Sequence, residues 1–321
     1  MVQVEAKMKF LVALISIPLL AQTPVLLDTD IGDDIDDAFA LALALRSREI
    51  RLVGVTTVFK DAYSRSLIAL RMLRETGRPE VLVAAGSRPQ STPETKGQFQ
   101  YAVGFNGKPV KELAVDFLYS KLKESPGAII LVAIGPLSNV SALLTKYPDA
   151  NKLMKRLVIM GGSVRVGYNA KPPAEPEWNI KCDIPAAQAV FRSGAPLTVA
   201  PLDATTMLKL EGPRRQSIFA SGPQLGHVLG TLYKMWGKPT PVLFDPVAVA
   251  LSFTERFTKM EDLRLEVDEK GITKVVSGAA NARVATSIDT NEFLDWYVAR
   301  QALAARRPIS AGASAAVNTY R

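Results

Sequence analysis

Short apolar runs alternate with segments of helical spacing along most of the chain. The runs are rich in Val, Ile and Leu at nearly every position, as expected of strands buried on both faces. We therefore predict an α/β fold: a single domain over residues 25–308, with a mostly parallel central sheet covered by helices on both faces and a Rossmann-like core. The predicted strands cover 25–27, 51–59, 81–86, 128–135, 156–162 and 196–203, and the predicted helices 38–47, 62–76, 110–124, 138–147, 183–191 and 291–306.

The remaining segments predict irregular structure or small motifs. Residues 87–109 are rich in Pro, Gly, Gln and Thr and predict a long surface loop, a candidate cover for a site. The proline-rich segment 163–182 is irregular, and 211–236 predicts short helical pieces that form a candidate flap. A β-hairpin is expected within 261–276, and the small, polar residues 309–321 predict a loose tail.

The amino terminus predicts a signal peptide over residues 1–21. Lys7 and Lys9 provide a basic flank, and the apolar run from Phe10 to Leu20 is short for a membrane span. We therefore expect a periplasmic or secreted protein with no membrane segment after processing. If the run instead forms a buried strand or helix of the fold, the protein is expected to be cytoplasmic.

Composition excludes several function classes. The net charge of +8 comes from scattered Lys and Arg with no basic tract, so we expect no nucleic-acid partner. The single cysteine, Cys182, cannot form an intrachain disulfide, and no Cys/His spacing indicates zinc. The single histidine, His227, has no nucleophile motif near it, so we expect a structural or solvent-facing role.

One stretch concentrates candidate chemistry. Six carboxylates lie within ten residues, directly after an apolar strand and before a helix: Asp28, Asp30, Asp33, Asp34, Asp36 and Asp37. A helix amino terminus favours one or two acidic side chains, but six repel one another unless a cation is present. Their hard oxygens suit Ca²⁺ or Mg²⁺. We favour a metal site over a solvated acidic turn.

In parallel sheets ligands bind at the carboxyl ends of the strands, so the residues that follow each predicted strand are the first candidates. Besides the acidic stretch, these are Asp61, Ile134, Gly135, Gly161, Gly162 and Asp203, together with Asp245, which opens a later helix.

Four segments occur in a fixed order over residues 25–305. They are Asp28-Thr-Asp-Ile-Gly-Asp-Asp-Ile-Asp-Asp-Ala, Ala133-Ile-Gly-Pro-Leu-Ser-Asn139, Met160-Gly-Gly with Asn169 and Glu177-Trp-Asn179, and Leu243-Phe-Asp245-Pro-Val-Ala. Together they resemble the signatures of the inosine/uridine-preferring nucleoside hydrolases. The resemblance implies a Ca²⁺-dependent hydrolase that cleaves the N-glycosidic bond of a ribonucleoside or related N-riboside, giving ribose and free base.

The resemblance also implies roles for individual residues. Asp36 is the implied general base toward a metal-bound water, ahead of an oxocarbenium-like transition state. The implied Ca²⁺ ligands are the carboxylates of Asp30, Asp37 and Asp245 and the backbone carbonyl of Ile134. The implied ligands of the sugar hydroxyls are Asn169, Glu177 and Asn179. Members of the family are often homodimers or homotetramers, and either assembly is possible here.

The sequence departs from the family pattern in four places. The acidic turn is two residues longer, so Asp33/Asp34 compete with our preferred pair, Asp36/Asp37, for the ligand and base roles. Asp61 stands where many members have Asn, and we expect it to bind a sugar hydroxyl. The sugar segment is longer than usual and has a second candidate, Glu175.

The fourth departure concerns the leaving base. Phe244 stands where many members have His, so no acid for the leaving base is evident; a tyrosine (Tyr101, Tyr168 or Tyr233) or a water is the alternative. Trp178 either stacks on the base or anchors its loop.

Two other functions compete with hydrolysis. A phosphotransferase with an Asp-x-Asp nucleophile would need Gly-Thr after Asp30, and Ile31-Gly32 does not fit that pattern. An exported protein that binds a nucleoside or sugar through the metal, with weak or lost catalysis, is the stronger alternative, because the histidine is missing. The intact Asp36 and Glu177-x-Asn179 favour the hydrolase.

Overall fold

An eight-stranded sheet forms the centre of the molecule in a computed structural model that describes residues 22–222 and 224–303. The strands lie in the order β3-β2-β1-β4-β5-β6-β10-β7, and all neighbours are parallel except β10 and β7. The strands of this sheet are β1 Thr23–Thr29, β2 Ile50–Thr57, β3 Val83–Ala85, β4 Ile130–Ala133, β5 Arg156–Met160, β6 Leu197–Ala200, β7 Thr258–Leu263 and β10 Ala282–Ile288. A separate antiparallel hairpin consists of β8 Leu265–Val267 and β9 Thr273–Val275.

Helices cover both faces of this sheet. They are α1 Asp36–Arg46, α2 Ala62–Glu75, α3 Ala114–Glu124, α4 Ser138–Lys146, α5 Ala150–Leu153, α6 Trp178–Cys182, α7 Ile184–Arg192, α8 Leu202–Thr205, α9 Gly212–Phe219, α10 Leu225–Trp236, α11 Phe244–Leu251 and α12 Thr290–Leu303. Along β1, Val25 and Leu27 belong to one apolar core and Leu26 to the core on the other face. This alternation is why the strand sequence is apolar without interruption.

The helix that carries the acidic stretch is itself part of the core. Residues 36–44 of α1 are all buried, so this helix is apolar on every side rather than amphipathic. It packs against α11 and α12, and the Tyr297 hydroxyl donates a 2.8 Å hydrogen bond to the Phe39 carbonyl. The first turn of α1 is therefore held rigidly at the carboxyl edge of the sheet.

The predicted fold class and most predicted elements are confirmed, and several details differ. Residues 178–182, within the segment predicted to be irregular, form α6. Residues 87–109 are not only surface loop, because a 3-10 helix at Gly97–Ala102 buries Phe99 and Tyr101 in the core. The strand after residue 196 ends at Ala200, which places Asp203 in α8. The segment that holds β10 received no prediction, although that strand pairs with β6 inside the sheet.

The predicted hairpin is shorter than expected, and two other predictions concern residues outside the described ranges. The hairpin within 261–276 is present as β8 and β9 only, because residues 258–263 join the main sheet. Helical pieces at 211–236 are confirmed as α9 and α10. The predicted signal peptide (1–21) and tail (309–321) lie outside the described residues, and no helix within those residues has the length and apolar character needed to cross a bilayer.

Candidate active site with a metal centre

A cavity of about 410 Å³ opens at the carboxyl edge of the sheet. It lies where the chain leaves β1, β2, β4 and β5, as the parallel topology predicts. Its lining combines seven acidic side chains with aromatic, amide and basic groups: Asp30, Asp33, Asp34, Asp36, Asp37, Lys60, Ile134, Met160, Tyr168, Glu177, Trp178, Asn179, Lys238, Phe244 and Asp245.

Three carboxylates converge on one point of this cavity. Asp36 and Asp37 lie in the first turn of α1 and Asp245 in the first turn of α11, and each offers an oxygen within 4.8 Å of the others. All three side chains are buried, with exposed fractions of 4% or less. The Asp245 backbone N–H donates to Asp36 Oδ2 at 3.2 Å, and the Thr29 hydroxyl donates to Asp37 Oδ1 at 2.5 Å. The helix packing therefore sets the spacing of this carboxylate cluster.

Burial makes the ionised form of these carboxylates unfavourable. It raises the pKa of Asp36, Asp37 and Asp245 well above the ordinary value, and the neighbouring carboxylates raise each pKa further. Burial also raises the pKa of Asp30 to about 6. A bound cation would reverse this effect, because it favours the charged form and accepts the hard oxygens offered here.

Arg65 is the basic group that shapes the acidic loop. Its guanidinium is 1% exposed and donates to Asp33 Oδ2 at 2.9 Å and to the Ile31 carbonyl at 3.2 Å. It also donates to the carbonyls of Asp30 and of Phe59, the latter at 3.0 Å. The loop carbonyls are therefore fixed by a single side chain from α2.

The ion pair between Arg65 and Asp33 distinguishes the two candidate pairs of aspartates, Asp33/Asp34 and Asp36/Asp37. Asp33 is held by Arg65 and by Lys60, and although burial raises its pKa, these two cations lower it overall. Asp34 lines the cavity, but its Oδ1 accepts the backbone N–H of Ile35. The structure therefore groups Asp36 and Asp37, rather than Asp33 and Asp34, with Asp245.

Glu177 and Asn179 line the cavity from the start of α6. Glu177 caps this helix: Oε1 accepts the Asn179 backbone N–H at 3.0 Å, and Oε2 accepts the N–H groups of Ile180 and Gly162. The Asn179 side-chain amide donates to the carbonyl of Ile134 at 3.0 Å and to that of Met160 at 3.1 Å. The structure therefore brings Ile134, Glu177 and Asn179 to the cavity, as predicted.

Two predicted sugar ligands do not line the cavity. Asp61 caps α2 instead: its Oδ1 accepts the Ser64 N–H, and its Oδ2 accepts the Ser64 hydroxyl and the Glu94 N–H. Asn169 is exposed, and its Oδ1 accepts the Lys171 N–H within a local turn. Because neither side chain lines the cavity, the structure does not bring these two residues to the predicted sugar site, and their contact with sugar stays a prediction.

Two further aspartates hold the surrounding backbone. The Asp28 Oδ1 accepts hydrogen bonds from the Thr56 hydroxyl at 2.6 Å and from the Asn139 amide at 2.8 Å, which ties β1 to its neighbours. Asp203 accepts the N–H groups of Val164 and Arg165 and fixes the loop after β5. Neither side chain lines the cavity.

The outer end of the cavity is aromatic. Tyr168 and Phe244 meet edge to face with ring centroids 6.2 Å apart, and Trp178 meets Phe59 in the same way at 6.4 Å. Tyr168 is 42% exposed and Trp178 is 49% exposed, so both form the rim of the opening. A planar heterocycle could stack there, which agrees with one of the two roles expected for Trp178.

Sequence reasoning missed three basic residues of the site region. Lys60 follows β2 directly, so its position at the carboxyl edge could have been expected. Lys238 follows the left-handed cap of α10 at Gly237, and no local motif marks it. The sequence signal for Arg65 was its position as a charged residue among the regularly spaced apolar residues of α2.

Comparison with known proteins identifies similar chains. A family model described as inosine-uridine preferring nucleoside hydrolase matches residues 25–295. The pyrimidine-specific ribonucleoside hydrolase RihA of Citrobacter koseri is 31% identical over 310 residues, covering 87% of this chain and 98% of that protein. A protein of Oryza sativa subsp. japonica named "Probable uridine nucleosidase 2" is 32% identical over 273 residues, covering 78% of this chain and 80% of that protein.

A solved structure shows the same likeness in three dimensions. The purine-preferring ribonucleoside hydrolase from Gardnerella vaginalis superposes with a TM-score of 0.76 at 26% identity. The match covers 87% of this chain and 98% of that chain.

The buried carboxylates predict an unusual pH dependence of stability. Their pKa values are raised on folding, so between pH 5 and pH 8 the folded chain holds more protons than the unfolded chain, and stability falls as pH rises. With a chelator present, we expect the melting temperature to decrease from about pH 5 to about pH 8. Saturating Ca²⁺ should flatten this decrease, and Asp245→Asn in chelator should weaken it. A melting temperature that rises over this range in chelator would contradict the raised pKa values of the buried carboxylates.

Arg65→Met should destabilise the fold strongly, because it leaves buried loop carbonyls and the Asp33 carboxylate without their donor. We expect a loss of about 3 kcal/mol or more in the free energy of unfolding, measured by urea denaturation. Arg256→Met is the matched control, since Arg256 is 62% exposed and pairs with Glu292 at the surface. It should cost about 1 kcal/mol or less. Equal losses for the two variants would show that Arg65 does not organise the loop.

Proposed function

Because this chain belongs to the inosine-uridine preferring nucleoside hydrolases, a metal-dependent family of N-glycosyl hydrolases, we propose that it cleaves a ribonucleoside or related N-riboside through Ca²⁺-assisted attack of water. The products are ribose and the free base. The observation that carries the proposal is the cluster of buried carboxylates Asp36, Asp37 and Asp245 at the floor of a nucleoside-sized cavity.

The donor set at this floor fits a hard divalent cation. The oxygens of the three clustered carboxylates are close together and buried, and without a cation burial and mutual repulsion raise their pKa values. A divalent cation would offset that repulsion and accept these hard oxygens. We assign the Ca²⁺ ligands to Asp30, Asp37, Asp245 and the backbone carbonyl of Ile134, all of which line the cavity. When bound, Ca²⁺ would lower the pKa of a coordinated water and hold the ribose diol.

Asp36 is the proposed general base. One of its oxygens accepts the Asp245 N–H, which orients the carboxylate and leaves the other oxygen available to the cavity. It takes one proton from the attacking water while the water oxygen forms a bond to the anomeric carbon. The C–N bond breaks, its electron pair goes to the base, and the base takes up a proton to become the neutral product.

Glu177 and Asn179 are proposed to bind and stabilise the ribose. Both Asn179 N–H groups are directed to backbone carbonyls, so its Oδ1 is the atom that we assign to a sugar hydroxyl. Burial raises the pKa of Glu177 to about 7, while backbone N–H groups from Asn179, Gly162 and Ile180 oppose this rise. The negative charge of Glu177 would be stabilised further by positive charge developing on the sugar ring.

The proposal predicts that Asp36→Asn strongly slows ribose release. The amide cannot accept the proton, so we expect the rate to fall by about 10²- to 10⁴-fold. The measurement is a reducing-sugar assay on purine, pyrimidine and nicotinamide ribosides, each with Ca²⁺ and with chelator. Asp262→Asn is the control, because Asp262 lies on β7, outside the cavity, and its carboxylate is exposed.

The same assay distinguishes hydrolysis from the alternative, a protein that binds a nucleoside without cleaving it. If no riboside yields ribose while calorimetry still shows binding of Ca²⁺ and nucleoside, the chain is a metal-dependent nucleoside-binding protein. Ribose release that persists unchanged in Asp36→Asn would leave hydrolysis standing and contradict the role given to Asp36.

A further inference from the structure

The departing base needs a partner that Asp36 cannot provide. As the C–N bond breaks, electron density collects on the base, and a hydrogen-bond donor at that end lowers the barrier. The single histidine, His227, is exposed on α10 and does not line the cavity. The side chains of the lining that carry donors at neutral pH are Lys60, Tyr168, Trp178, Asn179 and Lys238.

Most of these donors are already used or poorly placed. Lys60 pairs with Asp33 at 3.4 Å, and the Asn179 amide donates to two backbone carbonyls. Lys238 is exposed and lies over the Trp236 ring, 5.2 Å from its centroid. The Trp178 side chain is 49% exposed and meets the Phe59 ring edge to face. Tyr168 differs, because its hydroxyl lies among the aromatic side chains at the outer end of the cavity.

The Tyr168 hydroxyl has its proton available. The Trp178 backbone N–H donates to Tyr168 Oη at 2.8 Å, so this bond uses a lone pair of the oxygen and not its proton. The Phe244 ring meets the Tyr168 ring edge to face, and the Thr206 hydroxyl donates to the Tyr168 carbonyl at 2.7 Å. The first two contacts fix the ring, the third fixes the backbone that carries it, and the O–H proton is left to donate.

The surroundings also keep this phenol neutral. Partial burial and the nearby Glu177 carboxylate raise the pKa of Tyr168 above its ordinary range. A neutral phenol donates a hydrogen bond throughout the working pH range and does not become an anion beside the carboxylates.

We propose that Tyr168 is a catalytic residue that donates a hydrogen bond from its hydroxyl to the departing base, in the place of the missing histidine. The proposal rests on the hydrolysis proposed above. Tyr168 keeps its proton: the electron pair of the broken C–N bond goes to the base, and solvent water supplies the proton that neutralises it. Phe244 holds the Tyr168 ring and is therefore a positioning residue.

The test compares two leaving groups in one variant. Tyr168→Phe removes only the hydroxyl. Uridine and inosine release basic leaving groups that need a donor, whereas p-nitrophenyl β-D-ribofuranoside releases a stable anion that does not. We expect Tyr168→Phe to lower kcat on the nucleosides by roughly 10- to 100-fold and to change the p-nitrophenyl reaction by less than about threefold. The ratio of the two rates does not depend on the fraction of folded enzyme.

Tyr101→Phe is the matched control, because the Tyr101 hydroxyl donates to Glu75 at 2.8 Å outside the cavity. It should leave the ratio unchanged. Equal losses on both substrates in Tyr168→Phe, or no loss on either, would overturn the proposal. So would a selective loss on nucleosides in Lys238→Met but not in Tyr168→Phe. A wild-type enzyme that cleaves neither these substrates nor any other riboside of the panel described above would instead refute the proposed hydrolysis itself, and the inference with it.

Discussion

The structure depends on the crowding of buried carboxylates at the carboxyl edge of the sheet. Asp36 and Asp37 are fixed by α1, and Asp245 is fixed by α11, so the three cannot move apart without disrupting the core. Burial and mutual repulsion raise their pKa values, which makes the metal-free site costly to ionise. The same rigidity would suit a cation, because the oxygens of the cluster are already held close together.

The remaining loops hold this arrangement and complete the cavity around it. Arg65 fixes the loop between β1 and α1 through hydrogen bonds to two loop carbonyls and to the Asp33 carboxylate. Glu177 draws the start of α6 to the chain after β5 through hydrogen bonds to backbone N–H groups. The carboxylates at the floor and the aromatic rings of Tyr168 and Phe244 at the rim then divide the cavity into a polar and an apolar end. A nucleoside has the same division between ribose and base.

Much of this could be predicted from sequence, because it follows from local pattern. Strands that are apolar throughout identify a covered parallel sheet, and its carboxyl edge then groups residues that are far apart in the chain, such as Ile134 and Asp245. The role of a residue could not be predicted from sequence where that role depends on a single local contact. An Asp after a strand can face a ligand or cap the next helix, and Asp61 caps helix α2. Similarly, sequence alone could not show that α2 directs Arg65 inward, or that the Tyr168 hydroxyl accepts rather than donates in its bond to Trp178.

The most direct test of the carboxylate cluster as a cation site is calorimetric titration of Ca²⁺ at pH 7 in two buffers with different heats of ionisation. We expect one Ca²⁺ to bind per chain with release of protons, because the cation replaces protons held by the buried carboxylates. Asp245→Ala should weaken both the binding and the proton release. No binding of Ca²⁺, or equally tight binding to Asp245→Ala, would contradict the account.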